Sequence, residues 1–408
     1  MIPIVRKENS LAGKQPIWMN ANFVILLISG AVISFGSKIY ELALPLILYH
    51  YTASPIVMST MRGIEFLPNF FLAMFIGVLV DRANKKKWSL WTILLQIGLL
   101  LLLYFSIEAG NVSLYMFYIC GFLLMTFNYA FFNARMSIVK QSLPTEYLTA
   151  ANASFNFITT FISIMGPALT GIILMFSSLH TGLLLTALAM IFSFVILLFL
   201  KTQEEPRLIK NQGFWMEFIE GWKELYKNKI LWVVTMAVVF LNSTSGMVDA
   251  TIIFFSKDVL KLNDGELGML LSSIGFGGLV GSLMVGLVRN KWSTGKIMVV
   301  TTLLLGFTYF LLFISDSIIM ISLALALYGL FSTISNVSIW TFRQETTPQH
   351  LIGRISGITG SLFKLGMPFA IFASGWISEL ASPSIVFLLA CFGNIGIFIV
   401  CRASLLWK

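Results

Sequence analysis

Twelve apolar runs, each near the length that crosses a lipid bilayer, occupy most of the 408 residues of this chain. They cover residues 23–49, 55–80, 88–107, 112–132, 152–176, 181–200, 230–255, 265–288, 297–315, 318–342, 355–380 and 383–401. A spanning helix needs about 20 apolar residues. In hydrocarbon every backbone N–H and C=O must pair within the segment, so the runs predict helices. They lack the alternation of barrel strands. The expected fold class is an all-α integral membrane protein with twelve transmembrane helices.

The charge content agrees. Only 11% of residues are charged and the mean hydropathy is +0.88, whereas soluble domains carry about 25% charged residues. So few charges cannot cover a water-facing surface, which makes lipid the main solvent. The net charge of +9 follows topology rather than a nucleic-acid partner. With the N-terminus inside, twelve spans put Arg82, Lys85, Lys86, Lys87, Arg135, Lys140, Arg343 and Arg354 in cytoplasmic loops, and leave Lys257 and Lys261 outside. This is the positive-inside asymmetry. It predicts a multi-pass protein of the cell membrane with both termini cytoplasmic. Residues 1–15 are polar and the first apolar run is too long for a cleaved leader. Cys120, Cys391 and Cys401 lie within runs at spacings that fit neither a metal site nor a disulfide framework. No cofactor or metal is expected.

The longest gap between runs, 201–229, falls mid-chain and reads as a cytoplasmic linker with an amphipathic interfacial helix: Phe214, Trp215, Phe218, Trp222 and Leu225 share one face, and Glu217, Glu220, Lys223 and Glu224 the other. It divides an N-terminal bundle of six spans, 1–200, from a C-terminal bundle of six, 230–408. The halves share features. Pro144 follows the fourth run and Pro348 the tenth, and Gly166-Pro167 in the fifth matches Gly366-Met367-Pro368 in the eleventh. Parallel repeats of this kind place a substrate site at their interface.

The loop after the second run reads Gly77-Val78-Leu79-Val80-Asp81-Arg82-Ala83-Asn84-Lys85-Lys86. It resembles the signature between helices two and three of the major facilitator superfamily, G-x-L-x-D-R-x-x-(R/K)-(R/K), at every position. A small residue such as Gly77 lets helices approach closely, and Asp81 can accept charge-assisted hydrogen bonds. The resemblance implies the major facilitator fold and a conformational latch of Gly77, Asp81, Arg82 and Arg135, with Asp81 at the N-terminus of span eleven. The equivalent loop of the second half, Gly286–Lys291, lacks the acid. Gly166, Pro167 and Gly171 resemble part of the antiporter motif of superfamily exporters; Ile162 and Thr170 stand where that motif has glycine. The whole chain resembles the drug:proton antiporter subgroup that includes macrolide-efflux and enterobactin-exporter proteins.

Six ionisable residues stand out inside the runs, where such groups are rare and face a cavity or a partner. Lys38 and Glu41 stand three apart on span one, and Arg62 and Glu65 on span two. Asp249 lies on span seven and Lys364 on span eleven. Two readings stand for these groups: a substrate or proton site, or ion pairs that hold helices together. As a site, Asp249, Glu41 and Glu65 are the proton-coupling candidates, and Lys38, Arg62 and Lys364 line the substrate cavity.

The expected function is proton-coupled export of a small, drug-like amphiphile by alternating access, by a monomer whose partners are substrate, protons and lipid. The alternatives within the fold are export of a siderophore or movement of a lysolipid. An intramembrane enzyme or sensor is the rival from another class; the sequence holds no HExxH, no Ser/His/Asp arrangement at matching depth and no Walker A pattern.

Overall fold

A computed structural model describes residues 17–72, 76, 79–80, 83–143, 147–176, 178–201, 219, 222–223, 225–347 and 352–407. The secondary structure there is helical: α1 (Ala21–Thr52), α2 (Pro55–Phe71), α3 (Lys85–Glu108), α4 (Leu114–Ser142), α5 (Leu148–Met175), α6 (Thr181–Leu198), α7 (Lys229–Asp258), α8 (Asp264–Arg289), α9 (Thr294–Ile314), α10 (Ile318–Thr346), α11 (Ile352–Leu362), α12 (Met367–Leu380) and α13 (Pro383–Ala403), with short 3₁₀ turns at Ile17–Met19 and Leu405–Trp407. Ten of these helices are long and apolar enough to cross a membrane. Of the two remaining expected spans, α2 resumes as helix at Ile76 and at Leu79–Val80, and the other is broken into α11 and α12.

Local chemistry starts and stops the helices. Asn20, Ser54, Asn84, Asn228, Ser317 and Ser382 each accept a backbone N–H three residues on, and Asn263 forms a reciprocal cap with Glu266. Each satisfies donors that the first turn leaves open. Ala53, at φ 45°, turns the chain from α1 into α2. Short turns of this kind reverse the direction of successive spans.

The structure corrects the expected span ends. Helices α4 and α10 run past residues 132 and 342, so Arg135 and Arg343 stand on helices rather than in loops. Arg343 is only 4% exposed. The expected continuous span 355–380 is interrupted between Leu362 and Met367. Pro368 favours the break: it has no N–H to donate, and its ring would clash with the carbonyl four residues back, that of Lys364. Lys257, expected in an outside loop, ends α7 and donates to Asp264 at 2.8 Å. Leu225 from the 201–229 segment is fully buried against Leu231, Ile355 and Ile358; most of that segment lies outside the described residues.

In the first half α1 packs on α5 and α6, α3 on α4 and α6, and α2 on α4. In the second, α7 packs on α12 and α13, α9 on α10 and α13, and α8 on α10. Helices α5 with α8, and α2 with α12, join the two sets. Large apolar side chains such as Leu283, Phe276 and Phe369 point outward and stay exposed, as lipid contact requires. Cys120, Cys391 and Cys401 are buried, free thiols.

Candidate functional site

One end of the bundle is closed across the two sets of helices. The Tyr49 and Phe254 rings, on α1 and α7, meet at 5.8 Å, and the Tyr49 hydroxyl donates to Asp258 Oδ1 at 3.3 Å. Gly171 of α5 faces Gly268 of α8 so closely that a Cβ on Gly171 would lie 2.9 Å from the Gly268 Cα. Gly375 of α12 lies equally tight on Ser59 and the Pro55 carbonyl of α2. Missing side chains permit backbone approach of this kind. All three contacts sit where α1, α5, α7 and α12 end and where α2 and α8 begin. Because spans alternate in direction, that is one face of the molecule.

Beneath this closure, about 10–20 Å along the helices at 1.5 Å per residue, lies a charged layer. The Lys38 ammonium meets Glu41 at 2.5 Å, and Arg62 meets Glu65 at 2.9 Å. Both are the i,i+3 pairs expected from the sequence. The Tyr40 hydroxyl donates to the second oxygen of Glu65 at 2.7 Å, tying α1 to α2. Glu65 is 3% exposed, while Glu41 keeps 38% of its side chain accessible. Asp249 on α7 faces this layer, within electrostatic reach of Arg62 and Lys38 as cations and Glu41 as anion. Its side chain is exposed, on a helix that packs against both α1 and α2. On its other side Asp249 acts on Tyr309 and Tyr328, whose rings lie 5.7 Å apart; Tyr309 also pairs with Ser245 at 3.1 Å.

Seven residues back along α7, about 10 Å, Asn242 lines a cavity of about 470 Å³ between the two sets of helices. Its walls include Asn69 and Tyr129 from the first set, and Asn336, Trp340, Phe363 and Lys364 from the second. The break between α11 and α12 presents Lys364 here, 3.4 Å from Asn69 Oδ1, and Asn242 donates to the freed Phe363 carbonyl at 2.8 Å. The volume is in the range that takes a drug-sized ligand.

Behind the Trp340 and Phe363 rings lies Arg343, with its guanidinium 4.5 Å and 4.9 Å from their centres. It donates to Thr359 Oγ1. Among the described residues its Nε and Nη1 are buried without a partner. In the first half Arg135 lies 4.8 Å over Phe155 and against Gly30.

Of the latch expected from sequence, Gly77, Asp81 and Arg82 lie outside the described residues, so only Arg135 is placed. Lys85 and Lys86 do appear: Lys86 donates to the Leu198 and Leu200 carbonyls and ties the start of α3 to the end of α6. Gly166 lies against the Lys38 stem, Gly171 against α8, and Pro167 sits between them within α5. The six charges singled out in the sequence thus divide. Five share the layer under the closed end, and Lys364 stands apart with neutral groups. Sequence reasoning did not find Arg343, or the roles of Tyr309 and Tyr328. A mid-span tyrosine needs a partner for its hydroxyl, and that was the one available signal. Among the described residues no three His, Cys, Asp or Glu side chains gather as metal ligands.

Membrane-spanning helices that close at one end over a charged layer and enclose a ligand-sized cavity make this an integral membrane transporter. The chain belongs to the Major Facilitator Superfamily, whose family model matches residues 26–371. It is 22% identical to the multidrug efflux pump Tap of Mycolicibacterium fortuitum over 377 residues, 90% of this chain and 91% of that one. It is 22% identical to macrolide efflux protein A of Streptococcus pyogenes over 384 residues, 91% and 92% of the two chains. Its fold is similar to that of the nucleoside transporter NupG, with a TM-score of 0.78 at 14% identity, over 96% of this chain and 100% of that one.

Proposed function

We propose that this transporter is a proton-coupled antiporter of the cell membrane that exports a small amphiphilic compound by alternating access. The observation that carries the reading is Asp249: an exposed carboxylate on α7, the helix that packs on α1 and α2 across the interface between the two sets of helices, within electrostatic reach of Arg62 and Lys38. A carboxylate that meets water in one state and a cation in another changes its proton affinity with each exchange. Protonation of Asp249 would weaken its pull on the α1–α2 cations and let the second half move against the first. Glu41, still accessible beside Lys38, ranks next; Glu65, sealed by Arg62 and Tyr40, ranks last.

In this reading residues 1–200 and 230–408 are two six-span bundles that rock about the cavity. The closed end faces outside and both termini are cytoplasmic, so the structure is the cytoplasm-facing state. The Gly77–Arg82 loop and Arg135 would latch the opposite, outward-facing state. Export is favoured over uptake by the efflux names of both relatives and by the Gly166-Pro167-Gly171 segment, which here forms part of the closed end.

The test is flux into proteoliposomes of purified protein with an acidic lumen, using a panel that includes a macrolide and cationic dyes. The reading expects at least one compound to accumulate against its gradient only while the pH gradient lasts. Accumulation that ignores a protonophore would refute proton coupling.

A further inference from the structure

The cavity beside Lys364 holds positive charge that no carboxylate among its described lining residues balances. Its lining offers three side-chain amides, Asn69, Asn242 and Asn336, two aromatic rings, Trp340 and Phe363, and the Lys364 ammonium; no carboxylate is among its described residues. Lys364 has an amide oxygen rather than an acid as its neighbour. Directly behind the Trp340–Phe363 wall stands a second cation, Arg343, 4% exposed, with two guanidinium nitrogens buried and unpartnered among the described residues.

Among the described residues neither Arg343 nor Arg135 of the first half meets a carboxylate. Arg343 and Phe363 stand 208 positions after Arg135 and Phe155, and both pairs form the same cation–ring contact. The first half has Asp81 in the loop after its second span; the matching loop Gly286–Lys291 has no acid to offer. The acids of the charged layer are themselves engaged: Glu41 and Glu65 by Lys38 and Arg62, and Asp249 between those cations and two tyrosines. A buried cation with two nitrogens unpartnered among the described residues, as in Arg343, is costly, and Lys364 meets an amide oxygen rather than an acid, so a ligand that brings negative charge here is favoured electrostatically.

We propose that this cavity is an anion subsite: Lys364 binds a carboxylate, sulfonate or phosphate group whose aromatic body lies against Trp340 and Phe363. Arg343 is a positioning residue that holds the two rings and adds fixed positive charge behind them. This assignment rests on the transport reading above and narrows its substrate to an anionic or zwitterionic aromatic amphiphile.

The experiment measures equilibrium binding of 2-naphthoate and, as its cationic counterpart, 2-naphthylmethylammonium to the full-length protein in phosphatidylcholine nanodiscs. The native protein should bind the carboxylate about tenfold tighter than the ammonium, and Lys364→Gln should weaken carboxylate binding about tenfold while leaving the ammonium unchanged. Lys364→Arg should restore it, which separates loss of charge from loss of fold. Equal or tighter binding of the ammonium, no saturable carboxylate binding, or carboxylate binding indifferent to Lys364→Gln overturns the proposal. Displacement of the carboxylate by phosphatidylglycerol nanodiscs also overturns it, because the site then belongs to a lipid headgroup. Flux is read separately. Lys364-dependent binding without transport in proteoliposomes refutes the transport reading and keeps the subsite, and transport without charge preference does the reverse.

Discussion

The guanidinium of Arg343 lies 4.9 Å from the centre of the Phe363 ring. Arg135 holds Phe155 in the same way at 4.8 Å. The two contacts recur at one offset, joining span four to the start of span five and span ten to the middle of span eleven. Their offset of 208 differs from the 204 that separates Pro144 and Pro348, so the halves share a type of contact rather than one register. The second copy is the more buried, since Arg343 also lies on Trp340.

Removing a ring from this stack should weaken the second half. A desolvated cation–ring contact contributes about 2 kcal/mol. Phe363→Leu is predicted to lower the apparent melting temperature of the detergent-solubilised protein, and Phe363→Tyr to leave it near the native value. A Phe363→Leu variant as stable as the native protein would show that Arg343 is held by Trp340 and Thr359 alone.

Glu65 accepts from both Arg62 and Tyr40. Breaking a buried ion pair from one side costs about 3–5 kcal/mol, whereas replacing both partners with apolar groups costs much less. Glu65→Gln should therefore yield less folded protein by size-exclusion chromatography than Arg62→Met/Glu65→Met. The opposite order would mean that Arg62 is hydrated well enough to stand alone.

The closed end depends on glycine at position 171, where a Cβ would sit 2.7 Å from the Asp264 carbonyl oxygen and 2.9 Å from the Gly268 Cα. Backbone cannot yield as a flexible side chain does. Gly171→Ala should push α5 from α8 and favour the state in which this end is open. The readout is cross-linking of Tyr49→Cys to Phe254→Cys by a short bifunctional maleimide that spans the space of the two native rings, which are 5.8 Å apart. Its yield should fall in the Gly171→Ala background; an unchanged yield would place the hinge of opening elsewhere.

Topology has its own test. Lys87 and Asn111 are exposed at opposite ends of α3. Single cysteines at these positions should react with an impermeant maleimide from opposite sides of the membrane, Lys87→Cys from the cytoplasm. Labelling of both from one side would remove α3 as a span. Lys87 is preferred to Lys86, whose ammonium is bonded to α6.

The helices were legible in the sequence because the bilayer leaves the backbone no other way to pair its polar groups. The Lys38–Glu41 and Arg62–Glu65 pairs were legible because helical spacing is a local property. What the sequence withheld was long-range or masked by polarity. Asp249 looked unpaired within its own span, and its cations come from α1 and α2. Arg343 follows an apolar run and so read as the first loop residue, yet aromatic faces let it stay buried on α10. The interruption beside Lys364 was signalled by Gly366 and Pro368, but the unbroken hydrophobicity across it favoured one continuous span.

The central claim is that Asp249 couples transport to protons, and comparing driven with undriven transport in one variant tests it most directly. For a compound that the native protein moves, Asp249→Asn proteoliposomes should lose at least about tenfold of the accumulation driven by an imposed pH gradient, yet still exchange labelled for unlabelled substrate at equilibrium. Native accumulation by Asp249→Asn, and likewise by Glu41→Gln and Glu65→Gln, would contradict the account.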